Sequence, residues 1–182
     1  FTRNKHAQST YFKKSHKASY TSFILCLAGS AEIEIDSVKH VINQNHLLVI
    51  TPNQIVKCCS ITEDYSSHLI IISNKYFDSR DNFYKMMSLL IPLKNHPSAN
   101  LNEEETELLK AYHGLLYRKI SDQSNLFRNF TIQYLIQATF YEVCNLLLKH
   151  INVKTSNLSH KEEIFRQFLR MVEVYHYKER DI

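Results

Sequence analysis

Three histidines, His40, His46 and His68, fall in the part of the chain richest in strand pattern. Histidine is the side chain that most readily holds a divalent metal or moves a proton near neutral pH. A three-histidine or two-histidine-one-carboxylate centre needs ligands converging from neighbouring strands. Here no His-x-His pair occurs, and no glutamate follows at a useful spacing. His46 sits where a turn meets a strand, and His68 begins a strand from which it can face inward. Surface or hydrogen-bonded histidines explain the set better than ligands do, so no metal is expected. Thiol chemistry has no firmer support. Cys26, Cys58, Cys59 and Cys144 form no Cys-x-x-Cys pair, and adjacent Cys58 and Cys59 point to opposite faces of a strand. They read as buried thiols of a reducing cytosol. There is no Gly-x-Ser-x-Gly elbow. The run Glu103, Glu104, Glu105 is explained by helix capping rather than by acid–base exchange. With Gly29 and Gly114 as its only glycines, the chain has no glycine-rich phosphate cradle. No Arg occurs between Gly29 and Ile72 to grip a cyclic nucleotide. The chain is therefore expected not to be an enzyme, with no catalytic residue and no cofactor.

The elements that would position any site change character along the chain. Residues 20–28 are an apolar run broken by Gly29-Ser30, and 31–36 alternate, with Ile33 and Ile35 on one face and Glu32, Glu34 and Asp36 on the other. That pair reads as a hairpin. Further short strands are expected at 38–42, 47–50, 55–61 and 67–72, separated by the turns Asn43-Gln44-Asn45, Pro52-Asn53 and Thr62-Glu63-Asp64. Strands at this spacing predict an antiparallel sandwich or barrel. Its interior is the place for a small ligand. The candidate lining is Phe23, Leu25, Leu27, Ile33, Leu48, Cys58, His68 and Ile70, although such an interior is more often plain core.

After about residue 80 the period becomes helical. Phe83, Met86, Met87, Leu90 and Ile91 share a helix face, and Pro92 and Pro97 end that helix and open a loop. Asn102 to Glu105 has the form of a capping box before Leu108, Leu109, Tyr112, Leu115 and Leu116. Residues 126–149 hold no Gly or Pro and carry two apolar stripes. One is Ile132, Leu135, Ile136, Phe140, Val143, Leu146 and Leu147. The other is Phe127, Phe130, Tyr134, Ala138, Tyr141, Cys144 and Leu148, close to a seven-residue repeat. A helix apolar most of the way round must be covered on most of its surface. One face can lie on the β-module, and the second is expected to meet a second copy of the chain. The expected dimer contacts are Phe127, Phe130, Tyr134, Ala138, Tyr141 and Leu148. The bland alternative is that the flanking helices cover both faces within one subunit. Residues 152–157 form a polar connector, and Ser159 to Glu162 opens a further helix bearing Ile164, Phe165, Phe168, Leu169, Val172 and Tyr175.

An apolar fraction of 44% in 182 residues supports a core and argues against disorder. The net charge of +4 is mild, and much of it sits in Arg3, Lys5, Lys13, Lys14 and Lys17, which meet no acid in the first twenty residues. A solvated leader explains that arm better than a nucleic-acid contact. No apolar run is long enough to span a membrane, and a cytoplasmic location is expected.

The order of elements resembles the amino-terminal regulatory region of AraC-type bacterial transcription regulators. The stretch NHLLVITPN (45–53) is similar to that family's strand–proline turn, and the tail FRQFLRMVEVYHYKERDI (165–182) is similar to the first helix of its DNA-binding domain. The resemblance implies an α+β fold, with an antiparallel cupin-like β-barrel or sandwich at 1–80 and a helical dimerisation region at 81–152. It implies a linker and first DNA-binding helix at 153–182. It also implies an effector-binding, dimeric regulator whose DNA contact comes from helix-turn-helix units further on. The histidine signature of enzymatic cupins is absent, and no pocket residue of the family transfers by motif. The runner-up expectation is a metal-dependent cupin enzyme, an isomerase or dioxygenase. A third is a ligandless dimerisation platform.

Overall fold

The computed structural model describes residues 14–73 and 93–150. The basic arm up to Lys13, the helix expected over 83–91 and the connector and helix expected over 152–182 lie outside the described residues.

Among the described residues, eight strands form two antiparallel four-stranded sheets, and two long helices pack on one of them. The first sheet holds β1 (His16–Lys17), β6 (Ile55–Ile61), β3 (Ala31–Ile35) and β4 (Val38–Ile42), in that order across the sheet. The second holds β7 (Ser66–Ile72), β2 (Thr21–Ala28), β5 (His46–Ile50) and β8 (Ser98–Asn100). The chain is thus an α+β protein with a β-sandwich at its centre, as its pattern of short strands predicts.

The two kinds of apolar pattern in the strands have different causes. In β3, Ala31, Ile33 and Ile35 are buried while Glu32 and Glu34 are half-exposed, because only one face of that sheet is covered. In β2, Thr21 to Cys26 are all buried. Alternate side chains there serve two layers: Ile24 and Cys26 meet the first sheet together with Ile42, Leu48, Ile50 and Val56. Phe23 and Leu25 face the helices together with Leu47, Val49, Ile70 and Ile72. A continuous apolar run is what a strand covered above and below requires.

Turns carry the positive-φ residues. Gly29 has φ +66, and a Cβ there would lie 2.5 Å from Thr62 Oγ1 and 2.7 Å from Tyr65 N. Asp36 and Ser37, at φ 49 and 70, make the tight hairpin between β3 and β4. The Asp36 carboxylate also accepts the Ile55 N–H at 2.9 Å and the Gln54 amide at 3.2 Å, stitching that hairpin to β6. The stretch 45–53 forms β5 and its proline turn. Buried Gln54 closes the turn by accepting from Thr51 N–H at 2.8 Å and Thr51 Oγ1 at 2.9 Å.

Helix α1 (Glu103–Ser121) starts at a reciprocal capping box: Asn102 Oδ1 accepts from Glu105 N–H at 2.8 Å, and Glu105 Oε2 accepts from Asn102 N–H at 3.0 Å. Helix α2 (Arg128–His150) returns antiparallel along it. Arg128 fastens the joined end by donating through Nε to Ile120 O at 3.2 Å and again through Nη2. No helix among the described residues is long and apolar enough to cross a membrane.

The structure differs from expectation in three places: His16–Lys17 forms the short strand β1 within the arm read as a solvated leader, residues 93–95 are helical beyond Pro92, and a further strand follows Pro97. The sequence places a loop after Pro97 within a helical stretch running from 81 to 152, but Ser98–Asn100 is a strand on β5, pairing Leu47 with Ala99. Three residues with one apolar member carry too little alternation to be read, and the pairing is imposed by β5. The second sheet therefore takes a strand from beyond residue 80.

Candidate functional site

Strand alternation sends Leu25 and His68, direct partners across β2 and β7, to the helix-facing side of the second sheet. Helix α1 brings His113 down onto that side, one turn after Leu109. The two imidazoles stack with centroids 3.8 Å apart and planes 13° from parallel. Beside them lies a cavity of about 20 Å³, room for about one water molecule. Phe23, Leu25, Leu47 and Ile70 line it from the sheet, Leu109 and His113 from α1, and Thr139 and Val143 from α2. Phe140 closes in beside Phe23 at 6.1 Å between ring centroids.

The lining is apolar, with two imidazoles and one hydroxyl as its polar features and no carboxylate or ammonium. Thr139 Oγ1 already donates to Leu135 O at 2.7 Å, which leaves only its lone pairs for a guest. Such a lining suits an apolar body with a single polar head. A guest larger than water needs the lining side chains or the helices to shift. The near-parallel rings do not aim two nitrogen lone pairs at one point, which disfavours a shared metal ion. Among the described residues no group of three His, Cys, Asp or Glu could hold one. His40 is half-buried on β4, and burial lowers its pKa. His46 accepts from Asn43 N–H at 3.3 Å.

The eight candidate lining residues divide between two layers. Phe23, Leu25, His68 and Ile70 come together at the cavity, and Leu27 packs on the same layer. Ile33, Leu48 and Cys58 lie in the layer between the sheets, where Ile24, Cys26, Ile42 and Val56 fill the space. Apolar runs reveal that strands are buried but not which parity meets which layer. The lining residues from Leu47, Leu109, His113, Thr139 and Val143 are additional. His113 is recoverable in retrospect, lying at i+4 from Leu109 and i−3 from Leu116, both buried.

Of the thiols expected to be buried, Cys26 and Cys144 are, Cys58 is partly so, and Cys59 is exposed on β6, on the side that strand parity sends to solvent. Burial pushes Cys26 up to about 11 and Cys144 up to about 12, so thiolate is scarce near neutral pH. Cys58 is raised by burial and by neighbouring Cys59. The ladder is irregular there, with Glu32 opposite Ser60 and Ile33 opposite Cys58.

At the open end of the helical pair, Glu105 does more than cap. Its side chain is only 7% exposed, and it accepts from Lys149 Nζ at 2.6 Å and meets His150 Nε2 at 2.7 Å. The Lys149 hydrogen bond, then the Asn102 N–H and His150, outweigh burial and hold the carboxyl down at about 2.

The outer side of α2 is the other conspicuous surface. Phe127, Phe130, Tyr134 and Tyr141 are 69%, 62%, 66% and 44% exposed. Ala138 is exposed between them and Leu148 is half-buried, while Cys144 turns inward. The opposite stripe, from Ile132 to Leu147, is buried against α1 and the sheet, with Leu135 partly so.

No known protein-family profile matches the chain, and no curated protein matches it in sequence. Among solved structures it is similar to the AraC-like transcriptional activator CuxR, with 12% identity and a TM-score of 0.47 over 82% of this chain and 49% of that one. It is also similar to an apo ToxT variant from Vibrio cholerae (17%, TM-score 0.44, 84% of this chain and 56% of that one). A third is ToxT from Vibrio cholerae (14%, TM-score 0.37, 88% and 63%). The chain thus spans between 49% and 63% of the length of these structures.

Proposed function

We propose that this chain is the sensing and dimerisation part of an AraC-type transcription regulator, a non-enzyme working in the cytoplasm. In this reading the seam between the second sheet and the helices receives a small effector, and α2 pairs two copies. DNA contact belongs to helix-turn-helix units outside this sequence.

What supports the reading most is the division of α2 into a buried apolar stripe and an exposed aromatic one. Three large rings on one face of α2, continued by Phe127 just before its first residue, are left in water and form a surface awaiting cover. A self-complementary helix face is the simplest way for a second copy to provide it. The seam supports the sensing half. It has a cavity, two imidazoles and a hydroxyl, and one wall of it is made by the helices. An effector acts by binding one arrangement of that wall more tightly than another.

A fusion to a DNA-binding domain that represses only as a dimer tests this. The chain should confer operator repression in a reporter strain, and Phe130→Glu should abolish it. Repression that survives Phe130→Glu, or never appears, rejects α2 pairing. A thermal-shift screen with apolar compounds bearing one polar head tests the seam. Stabilisation of the wild-type chain that is lost in His113→Leu is the expected result.

A further inference from the structure

The seam cavity and the buried carboxylate at the open end of the helices share the same two helices. Glu105, Leu109 and His113 stand at i, i+4 and i+8 on α1, one face running from carboxylate to cavity. On α2, Thr139 and Val143 line the cavity and Leu146 and Leu147 are buried beyond them. Lys149 and His150, the last two residues of α2, then reach the Glu105 carboxylate at 2.6 and 2.7 Å. Glu103 and Glu104, on the same first turn, remain exposed. A capping glutamate needs only the Asn102 N–H. An ammonium and an imidazole brought from 44 and 45 residues away form a separate device.

We propose that Glu105, Lys149 and His150 form a charge latch that fixes the end of α2, and that α1 couples this latch to the seam cavity. The joined end of the pair is held independently by Arg128 on Ile120 O. A guest that lifts α1 from β7 would therefore swing the helices about that fixed end. Displacement is greatest at the open end, where the latch sits, so cavity occupancy and the latch bias one another. The coupling rests on the sensing role proposed for the seam; the latch does not.

Amide hydrogen exchange on the full chain, without effector or DNA, tests both parts. Glu105→Gln keeps an oxygen for the Asn102 N–H but loses the charge. It should speed exchange at residues 146–150 by about tenfold relative to 132–143. Paired Lys149→Gln and His150→Gln, at solvent-accessible side chains, should do the same without touching the cap. Unchanged last-turn exchange in both variants overturns the latch. Val143→Ile, which adds a methylene to the cavity, should alter last-turn exchange in the wild-type background and not in Glu105→Gln. Additive effects, or no effect in either background, overturn the coupling. A failed effector screen would count against the sensing role and leave the latch result standing.

Discussion

Phe130→Glu is the sharpest test of the exposed face of α2. Phe127, Phe130, Tyr134 and Tyr141 are between 44% and 69% exposed. With about 150–250 Å² per aromatic side chain, these rings leave roughly 450–500 Å² of apolar surface in water on each copy. Pairing two copies would remove about 900–1,000 Å² from water, worth roughly 20–25 kcal/mol at ~25 cal/mol per Å². Association costs of about 4–15 kcal/mol come off that figure, which leaves a micromolar dimer wherever those costs stay below about 12 kcal/mol. Phe130 supplies about 120 Å² of this per copy, so its loss removes about 3 kcal/mol per chain and about 6 kcal/mol per pair. Two facing carboxylates in an apolar seam add to the penalty. A loss of about 6 kcal/mol weakens the dissociation constant by roughly four orders of magnitude. Sedimentation velocity across micromolar concentrations should show a dimer for the wild-type chain and for Glu107→Gln, on the exposed face of α1. It should show a monomer for Phe130→Glu with an unchanged circular-dichroism spectrum. A wild-type monomer throughout, or an unchanged mass for Phe130→Glu, refutes the reasoning.

Acid should loosen the open end of the helical pair. The Glu105 carboxyl, held at about 2 against an ordinary 4.5, stabilises the fold fully above pH ~4.5. That contribution, about 1–2 kcal/mol after solvent screening, is lost as pH falls towards 2. Acid denaturation of Glu105→Gln, followed by circular dichroism, should lack this component. Gly29→Ala places a Cβ 2.5 Å from Thr62 Oγ1 at a φ of +66, and urea melts should show a loss of about 1–3 kcal/mol. Gln54→Ala leaves the Thr51 N–H without its acceptor inside a closed turn. Chemical denaturation should register about 1–3 kcal/mol, and Gln54→Glu should not restore it, because a carboxylate there would face the Asp36 carboxylate in place of the amide donor.

Much of the architecture is legible from period and punctuation. The alternation of Ile33 and Ile35 with Glu32 and Glu34 marks β3, the run before Gly29 marks β2, and Asn102 with Glu105 marks the start of α1. These signals are local, so they survive without neighbours. What depends on partners is not legible. β8 exists because β5 offers it a ladder, and Leu48 differs from Leu47 only in which layer its parity meets. His113 sits among Tyr112, Leu115 and Leu116, where its polar ring looks like a helix-surface residue. It becomes informative only when β7 brings His68 to 3.8 Å. Glu105 reads as a cap because a cap needs three residues of context, whereas its second role needs an element 44 residues away.

Strand β2 has a consequence for anyone wishing to dissect the molecule. Its even-numbered side chains are sheltered by one sheet and its odd-numbered ones by the helices. A fragment ending near residue 80 would expose Phe23, Leu25, Leu47, Val49, Ile70 and Ile72 together, an adhesive sheet surface rather than a soluble module. Expression trimmed at that point should yield aggregate, whereas trimming after residue 150 keeps that surface covered.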